Sequence, residues 1–480
     1  MHTKSLTYKL LAILIGWVGY LTAQPVTITG VASFAKNEEI RLLVFNDLIN
    51  NVPTVAATDK IDKNGHFKLS CTINEIKLCQ LAIRTTKAEF LLVPHVRYDF
   101  EIATDTVLFQ LINPEHYGGY LEITNTRTDT NDLNYKINRF SNYFNKAMNY
   151  YGFKLTYDHD IAYYDTLMNL LHSHFDYQYN PDNFYQSYLY YTCGMLDRLC
   201  FPKDYLRIYR DYFDNDRILY NNPAYMMLFN ENYAGYLYNS RYISKHLLTE
   251  TINEEPDYLK LFNEIGRDPQ LTNERIRELV IIKNLIELYG NEEFDKGNII
   301  KLLQYVKASS HFPDHIPFVE NALQKFTSEQ KSTYELNFKN PKGKKFDLKQ
   351  FAGKPIYAQV FQSDCLDCIR EMMILKELAK EYGEDIQFLS INIDPDPSTF
   401  EQFHKNYGEM FDWPMVHFNG AYQWLLENEI ETLPEYFILN EDGNIINRYV
   451  PAPEQNLLKY LQARYAKEQI KNDNPLFRNQ

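Results

Sequence analysis

Cysteine is scarce in this chain, with six residues in 480. That is too few to staple a protein of this length, so its stability must rest on apolar cores. Cations are in deficit as well. Lys and Arg number 49 against 63 Asp and Glu, a formal charge of -14, which argues against nucleic acid and against an anionic membrane surface as partners. Beyond the first two dozen residues no apolar run is long enough to cross a bilayer. There is no fixed-period repeat. One run, "DPDPS" (Asp394 to Ser398), resembles a calcium loop, but it has two prolines and no Gly at the sixth position, which excludes that reading.

What is present divides the chain into stretches of different period. Lys4 and Lys9, the apolar run "LLAILIGWVGYL" and small Ala23 predict a signal peptide over residues 1–23; the alternative is an uncleaved membrane anchor. No Cys lies near the cut to accept a lipid. The expected destination is an exported, oxidising compartment, the periplasm or cell envelope, with no membrane span left after cleavage. Residues 24–110 alternate with period two in runs such as "EIRLLVF" and "HFKLSCTI", and "DKNG" (Asp62 to Gly65) carries a hairpin signal, so an antiparallel β-sandwich is expected. Cys71 and Cys79 read as inward strand positions, either buried thiols or a cross-strand disulfide.

Residues 111–330 change to helical spacing, in "LNYKINRFSNYFNKAMNYY", "YYDTLMNLLHSHF", "RIRELVIIKNLIELYG" and "NIIKLLQYVKAS". Thr272 or Asn273 should cap the third of these. With 39 Tyr and 30 Phe in the chain, this all-α domain should pack through aromatic rings; a Tyr-lined glycan or peptide site is the alternative use of them. Cys193 and Cys200, two helical turns apart, read as core residues, and His172 with His174 as ordinary surface or core histidines. From 331 to 470, strand and helix patterns alternate as βαβα and then ββα, which implies an α/β domain with a mixed central sheet and helices on both faces. Residues 471–480 form a tail.

Chemistry concentrates in "SDCLDCIREM" (Ser363 to Met372). Cys365 falls where a buried strand ends and a helix begins, with Cys368 one turn on. Unpaired N–H groups at a helix start stabilise a thiolate, and strand order is expected to present Cys365 to solvent. Zinc would need two further Cys or His ligands. His404 and His417 lack ligand spacing, and no metal or other cofactor is expected. Two inert core thiols remain as the plain alternative.

The stretch "GKKFDLKQFAGKPIYAQVFQSDCLDCIREM", with "LSINID" and "ETLPEYFILNEDGNII" downstream, resembles the TlpA/ResA-like periplasmic thioredoxin domains. The likeness covers residues 333–469. The three-part layout also resembles Bacteroidetes envelope proteins that carry a C-terminal thioredoxin domain. The resemblance implies a thioredoxin fold and thiol-disulfide oxidoreductase activity on a protein or small-molecule disulfide, supplied by a membrane electron donor. It implies Cys365 as the attacking thiol, Cys368 as the resolving one, Pro434 as a cis-proline facing the sulfurs, and the Leu433 backbone as a strand for substrate. The chain departs from the family pattern in three places. Asp364 stands where Trp is usual, Leu366-Asp367 replaces the usual intervening pair, and Gln359 replaces the buried acid. Asp364 and Asp367 should push the thiolate pKa back up. Glu371 either moves protons for Cys368 or is a solvated, salt-bridged helix residue. Rival readings are a binding or scaffold protein with a weakly active thioredoxin domain, and a thiol peroxidase. The latter would want Pro and Thr or Ser where Ala358 and Gln362 stand.

Overall fold

The computed structural model describes residues 25–104, 121–327 and 337–465, apart from positions 85, 128, 157–160, 177, 202, 203, 216, 292, 352, 422, 423, 426, 427, 429, 431, 432, 449 and 456. The predicted signal peptide and the 471–480 tail lie outside the described residues. Among the described residues, no helix is long and apolar enough to cross a membrane.

Among the described residues, eight strands build the first part. Strands β1 (Pro25–Val31), β4 (His66–Thr72), β7 (Arg97–Ala103) and β8 (Glu122–Asn125) form one sheet in the order β4-β1-β7-β8. Strands β2 (Glu39–Phe45), β3 (Pro53–Lys60), β5 (Lys77–Ile83) and β6 (Thr86–Leu92) form the other, in the order β3-β2-β5-β6. Alternation explains their pairing. Ile28, Leu69 and Tyr98 from the first sheet and Leu42, Leu81 and Leu92 from the second share one core.

Several expectations need correction. The sheets are not wholly antiparallel, because β1 runs parallel to β7. These strands are distant in sequence, so no hairpin dictates their direction. The Asp62–Gly65 turn forms, with Gly65 at φ 91 and its N–H donating to Asp62 O at 3.0 Å, but it leads from β3 in one sheet to β4 in the other. Asn-Gly fixes a tight reversal of the chain; it does not fix which strands then pair. Cys71 and Cys79 are free thiols and belong to opposite sheets, so they form no cross-strand pair. Strand β8 lies beyond residue 110, past the end of the alternating pattern.

The longer helices that follow are α1 (Leu133–Thr156), α2 (Ile161–His174), α3 (Phe184–Cys200), α4 (Pro223–Asn232), α5 (Tyr258–Ile265), α6 (Glu274–Leu288), α7 (Lys296–Ser309) and α8 (Ile316–Thr327). Asn273 is the cap of α6, accepting from the N–H groups of Arg275 and Ile276. Cys193 and Cys200 are buried in the helical core, and His172 and His174 are exposed. Helix α6 is buried around most of its circumference, even at Arg277, Glu278, Lys283 and Asn284, and is the axis of the region. Its polar groups are paired inside: Glu278 accepts from Ser310 Oγ at 2.5 Å and lies 2.7 Å from His315 Nδ1. The sheets and helices are packed together. Asn230 Nδ2 donates to Leu48 O at 2.7 Å, Asn50 Nδ2 to Phe318 O at 3.1 Å, and Asn321 Nδ2 to Asp47 Oδ2 at 3.0 Å.

The C-terminal part is a five-stranded sheet of order β11-β10-β9-β12-β13. Strands β9 (Ile356–Phe361), β10 (Gln387–Asn392) and β11 (Met415–His417) are parallel, whereas β12 (Glu435–Leu439) and β13 (Ile445–Asn447) close the sheet in antiparallel fashion. Helices α9 (Leu366–Tyr382), α10 (Pro397–Tyr407) and α11 (Leu457–Tyr465) supply Leu375, Phe403 and Leu461 to one core. Phe338, Leu348 and Trp424 belong to a second core, which takes in Ala358 and Val360 of β9. Burial on both faces explains why β9 and β10 are continuous apolar runs.

Asp197 is a checkable pin of the helical region. Its buried carboxylate accepts from Tyr164 and from Tyr212 Oη at 2.8 Å, and pairs with Arg207 Nη2 at 3.3 Å. Asp197→Ala strands the two buried tyrosine hydroxyls and leaves Arg207 only its more distant carboxylate partner Asp211, and we expect it to lower unfolding free energy by about 2–4 kcal/mol. Urea titration followed by far-UV circular dichroism measures this. A loss below about 0.5 kcal/mol would mean that water replaces the carboxylate.

Candidate active site

The Cys-x-x-Cys stretch is made by two constraints. Strand β9 ends at Phe361, and α9 begins at Leu366. Between them, Cys365 takes the cap position: its N–H donates to Gln362 O at 3.1 Å, and its Sγ accepts from Cys368 N at 3.1 Å. A disulfide joins Cys365 to Cys368, with Cα atoms 5.2 Å apart. The four other cysteines form no disulfide. Cys365 does not face solvent as expected. It is 3% exposed and Cys368 0%, in a cluster with Phe361, Met372 and Tyr436. The bonded sulfurs are turned into this core, and the residue that faces water beside them is Leu366, 81% exposed.

Asp394 holds the loop in place. Its carboxylate accepts from Ser363 N at 3.0 Å, from Ser363 Oγ at 2.5 Å and from Asn392 Nδ2 at 3.1 Å. The Asp394 carbonyl in turn lies 2.8 Å from His417 Nε2. Asn419 N donates to His417 Nδ1 at 3.1 Å, so Nε2 carries the proton and the ring is neutral. Burial lowers the His417 pKa, in agreement with that tautomer. His417 is thus committed to backbone, and His404 sits on α10. Among the described residues no His, Cys, Asp and Glu cluster could hold a metal.

A chain of hydrogen bonds runs beneath the disulfide. Gln359, fully buried, donates from Nε2 to Cys368 O at 3.2 Å and is 3.0 Å from Tyr436 Oη. Tyr436 Oη donates to Glu371 Oε2 at 2.7 Å. Glu371 is therefore not a solvated helix residue. It is buried, and burial raises its pKa against the lowering effect of the Tyr436 bond. The Leu433–Pro434 peptide is cis, and Leu433 packs against the cluster that holds both cysteines.

On the outer side, Asp364 is exposed; the protein packed around its carboxyl, with Asp394 as a like charge, raises its pKa. Asp367 is paired with Arg370 Nη1 at 2.7 Å, and Arg370 Nε reaches Glu454 at 2.9 Å. Arg370 is the cation that a reading of the two aspartates alone leaves out. Sequence reasoning also passed over Tyr436, Asn392 and Asp394 as contributors. Tyr436 lies two residues after Pro434 and was legible only as part of a strand; Asn392 was legible only as a strand end, and Asp394 only as that end and as the start of a run that resembles a calcium loop.

With this geometry in view, the comparisons are specific to one end of the chain. Residues 318–463 match the Redoxin family model. The C-terminal region is similar to the thiol-disulfide oxidoreductase ResA of Bacillus thuringiensis subsp. konkukian, 28% identical over 105 residues, covering 22% of this chain and 59% of that protein. ResA of Bacillus anthracis is 24% identical over 109 residues, covering 22% and 61%. The chain thus spans about three-fifths of the length of these relatives. Among solved structures, the thioredoxin domain of a Bacteroides vulgatus thiol-disulfide oxidoreductase is 15% identical, covers 26% of this chain and 89% of its own, and gives a TM-score of 0.23.

Glu371 yields a pH test. Its folded pKa is raised above the unfolded value of about 4.3, so its contribution to stability is full below that pH and is lost as pH rises through the folded pKa. Glu371→Gln should remove this loss, gaining on the wild type as pH rises above about 4. Trp413 and Trp424 both lie in the C-terminal region, so tryptophan fluorescence in urea follows the right unit. A wild-type advantage that grows with pH would show that Glu371 is stabilised as the anion.

Proposed function

We propose that this protein is an exported thiol-disulfide oxidoreductase acting through Cys365 and Cys368. The observation that carries the reading is the disulfide at the start of α9, in one cluster with Leu433 of a cis Leu433–Pro434 peptide. The Redoxin match and the likeness to ResA support it.

In the reduced protein, the Cys365 thiolate attacks one sulfur of a substrate disulfide and releases the other as a thiolate. The resulting mixed disulfide is attacked by Cys368 at the Cys365 sulfur. This expels the second substrate thiol and leaves the Cys365–Cys368 disulfide, the form the structure holds. The substrate gains two electrons and two protons, and the protein must then be re-reduced by a thiol or membrane electron donor. Helix N–H groups favour the Cys365 thiolate. Pro434 faces the sulfurs, and the Leu433 backbone pairs with a substrate strand. Glu371, through Tyr436 and Gln359, conditions the Cys368 side, where no carboxylate stands at residue 359. Substrates are protein or small-molecule disulfides in the periplasm or envelope. Residues 24–110 together with β8, the helices to 330, and residues 331–470 make up the three parts of the mature chain. The near-complete burial of Cys365 favours a second reading, a binding or scaffold protein whose thioredoxin domain is weakly active.

Insulin reduction by dithiothreitol separates the two. The wild type should accelerate precipitation and Cys365→Ala should not; equal rates for both would leave the scaffold reading. Cys368→Ala, expressed in cells, should accumulate mixed disulfides through Cys365.

The charges around Cys365 give a finer test. Asp364→Asn removes a nearby negative charge and should lower the Cys365 thiol pKa, whereas Arg370→Gln removes the compensating cation and should raise it, each by less than about one unit. Iodoacetamide alkylation of the reduced protein against pH reads both. Shifts of the same sign in the two variants would show that these charges do not control the thiolate.

A further inference from the structure

A cavity of about 410 Å³ lies far from the cysteines, where the two sheets meet the first helices. Its walls come from β5 to β8, the loop after β8, and helices α1 and α3, with Pro223 from the start of α4. None of its lining belongs to residues 337–465. The volume suits a small organic molecule.

The lining has a definite charge. Among the described lining residues its carboxyl groups are Glu89, Asp129 and Asp132, and the one cation is Arg127. Arg127 is committed, since its Nε is bonded to the carboxylate of Asp99. Asp129 and Asp132 face local backbone, accepting from Asn131 N and Tyr135 N. Glu89 differs from both. It lies on the sheet face opposite Phe90, and its cross-strand neighbour is Gln80, whose side chain favours the Glu89 anion. Glu89 stays open to solvent within the cavity, yet the protein around it raises its pKa by desolvation. Aromatic residues Phe90, Tyr98, Tyr135 and Tyr188 share the lining. The Tyr98 hydroxyl is already used, accepting from Val93 N and donating to Leu91 O, and Asn134 is spent on both backbone groups of Leu91.

Among its described lining, the cavity therefore offers a carboxylate with no cation of its own, in a space that aromatic rings also line. A carboxylate in such a place gains most from a ligand that brings a positive charge and an apolar body, by a charge-assisted hydrogen bond and by ring contact with the cation. We propose that this cavity binds a small organic cation, an ammonium or guanidinium on an apolar or aromatic body, with Glu89 as its counter-ion. The site is independent of the dithiol chemistry and does not rest on it.

Isothermal titration of the mature full chain tests this. Benzylamine stands for a free amine, Nα-acetyl-lysine amide for a lysine of a polypeptide, and benzyl alcohol is the neutral isostere. Either cation should bind saturably at one site, and whichever binds more tightly identifies the source. Benzyl alcohol should bind at least about tenfold more weakly, and Glu89→Gln should weaken the cation by a similar factor. Asn138→Trp, at an exposed helix position lining the cavity, should block binding by filling it, with the circular dichroism spectrum unchanged. Three results would each overturn the proposal: no saturable binding of either cation, equal binding of benzyl alcohol, or undiminished cation binding by Glu89→Gln.

Discussion

The carboxylate of Asp394 is the joint on which the cysteine end of the C-terminal domain depends. Parallel strands β9 and β10 end side by side, and each passes into a loop. A loop leaving a parallel strand has no ladder partner, so its backbone donors must be met by side chains. Asp394 meets them by holding the N–H and hydroxyl of Ser363 while Asn392 and His417 hold Asp394. Only with Ser363 fixed can Gln362 O receive the Cys365 N–H and leave the sulfur at the helix cap. The two prolines of "DPDPS" suit the same purpose. Pro397 opens α10 at a position that needs no donor, and Asp396 caps it by accepting from Ser398 N. A run that looks like half a cation loop is instead a clamp.

The disulfide lies between two electrostatic environments. Outside, Asp364, Asp367, Arg370 and Glu454 are exposed and screened by water and by one another. Inside, Gln359, Tyr436 and Glu371 form a buried chain in which burial favours the neutral forms of both ionisable members. The outer charges act on a thiolate through solvent, and the inner groups act through polarisable hydrogen bonds at low dielectric. A neutral amide at residue 359 links these groups without adding a charge beneath the sulfurs.

Much of this was legible in the sequence, for reasons that differ by element. Strands β9 and β10 are buried on both faces and therefore read as unbroken apolar runs, and α9 follows a cap and a 3.6 period. Strand β3 was not legible, because it is largely exposed and its alternation is polar. Strand β11 has only three residues, too few for any period. The parallel β1–β7 pairing depends on a crossover that no local signal records. In the candidate site, the Cys positions and Pro434 could be read from spacing and resemblance. The burial of Glu371 could not, since it depends on Tyr436 from a strand 65 residues later. The inward turn of Cys365 likewise depends on packing that a helix start does not determine.

The asparagines that join the sheets to the helices also bear on how the chain could be divided. Asn230 and Asn321 reach from α4 and α8 to the β2–β3 loop, and Asn50 reaches back to α8. Leu48, from the same loop, is counted within the helical core itself. A fragment ending after β8 would lose the acceptor that occupies Asn50 and lay Leu48 bare, and a fragment beginning at α1 would leave Asn230 and Asn321 facing water. Anyone seeking a minimal portion of this protein to express has, on these contacts, one cut to try. It falls beyond α8, which separates a piece carrying sheets, helices and cavity together from a piece carrying the cysteine pair.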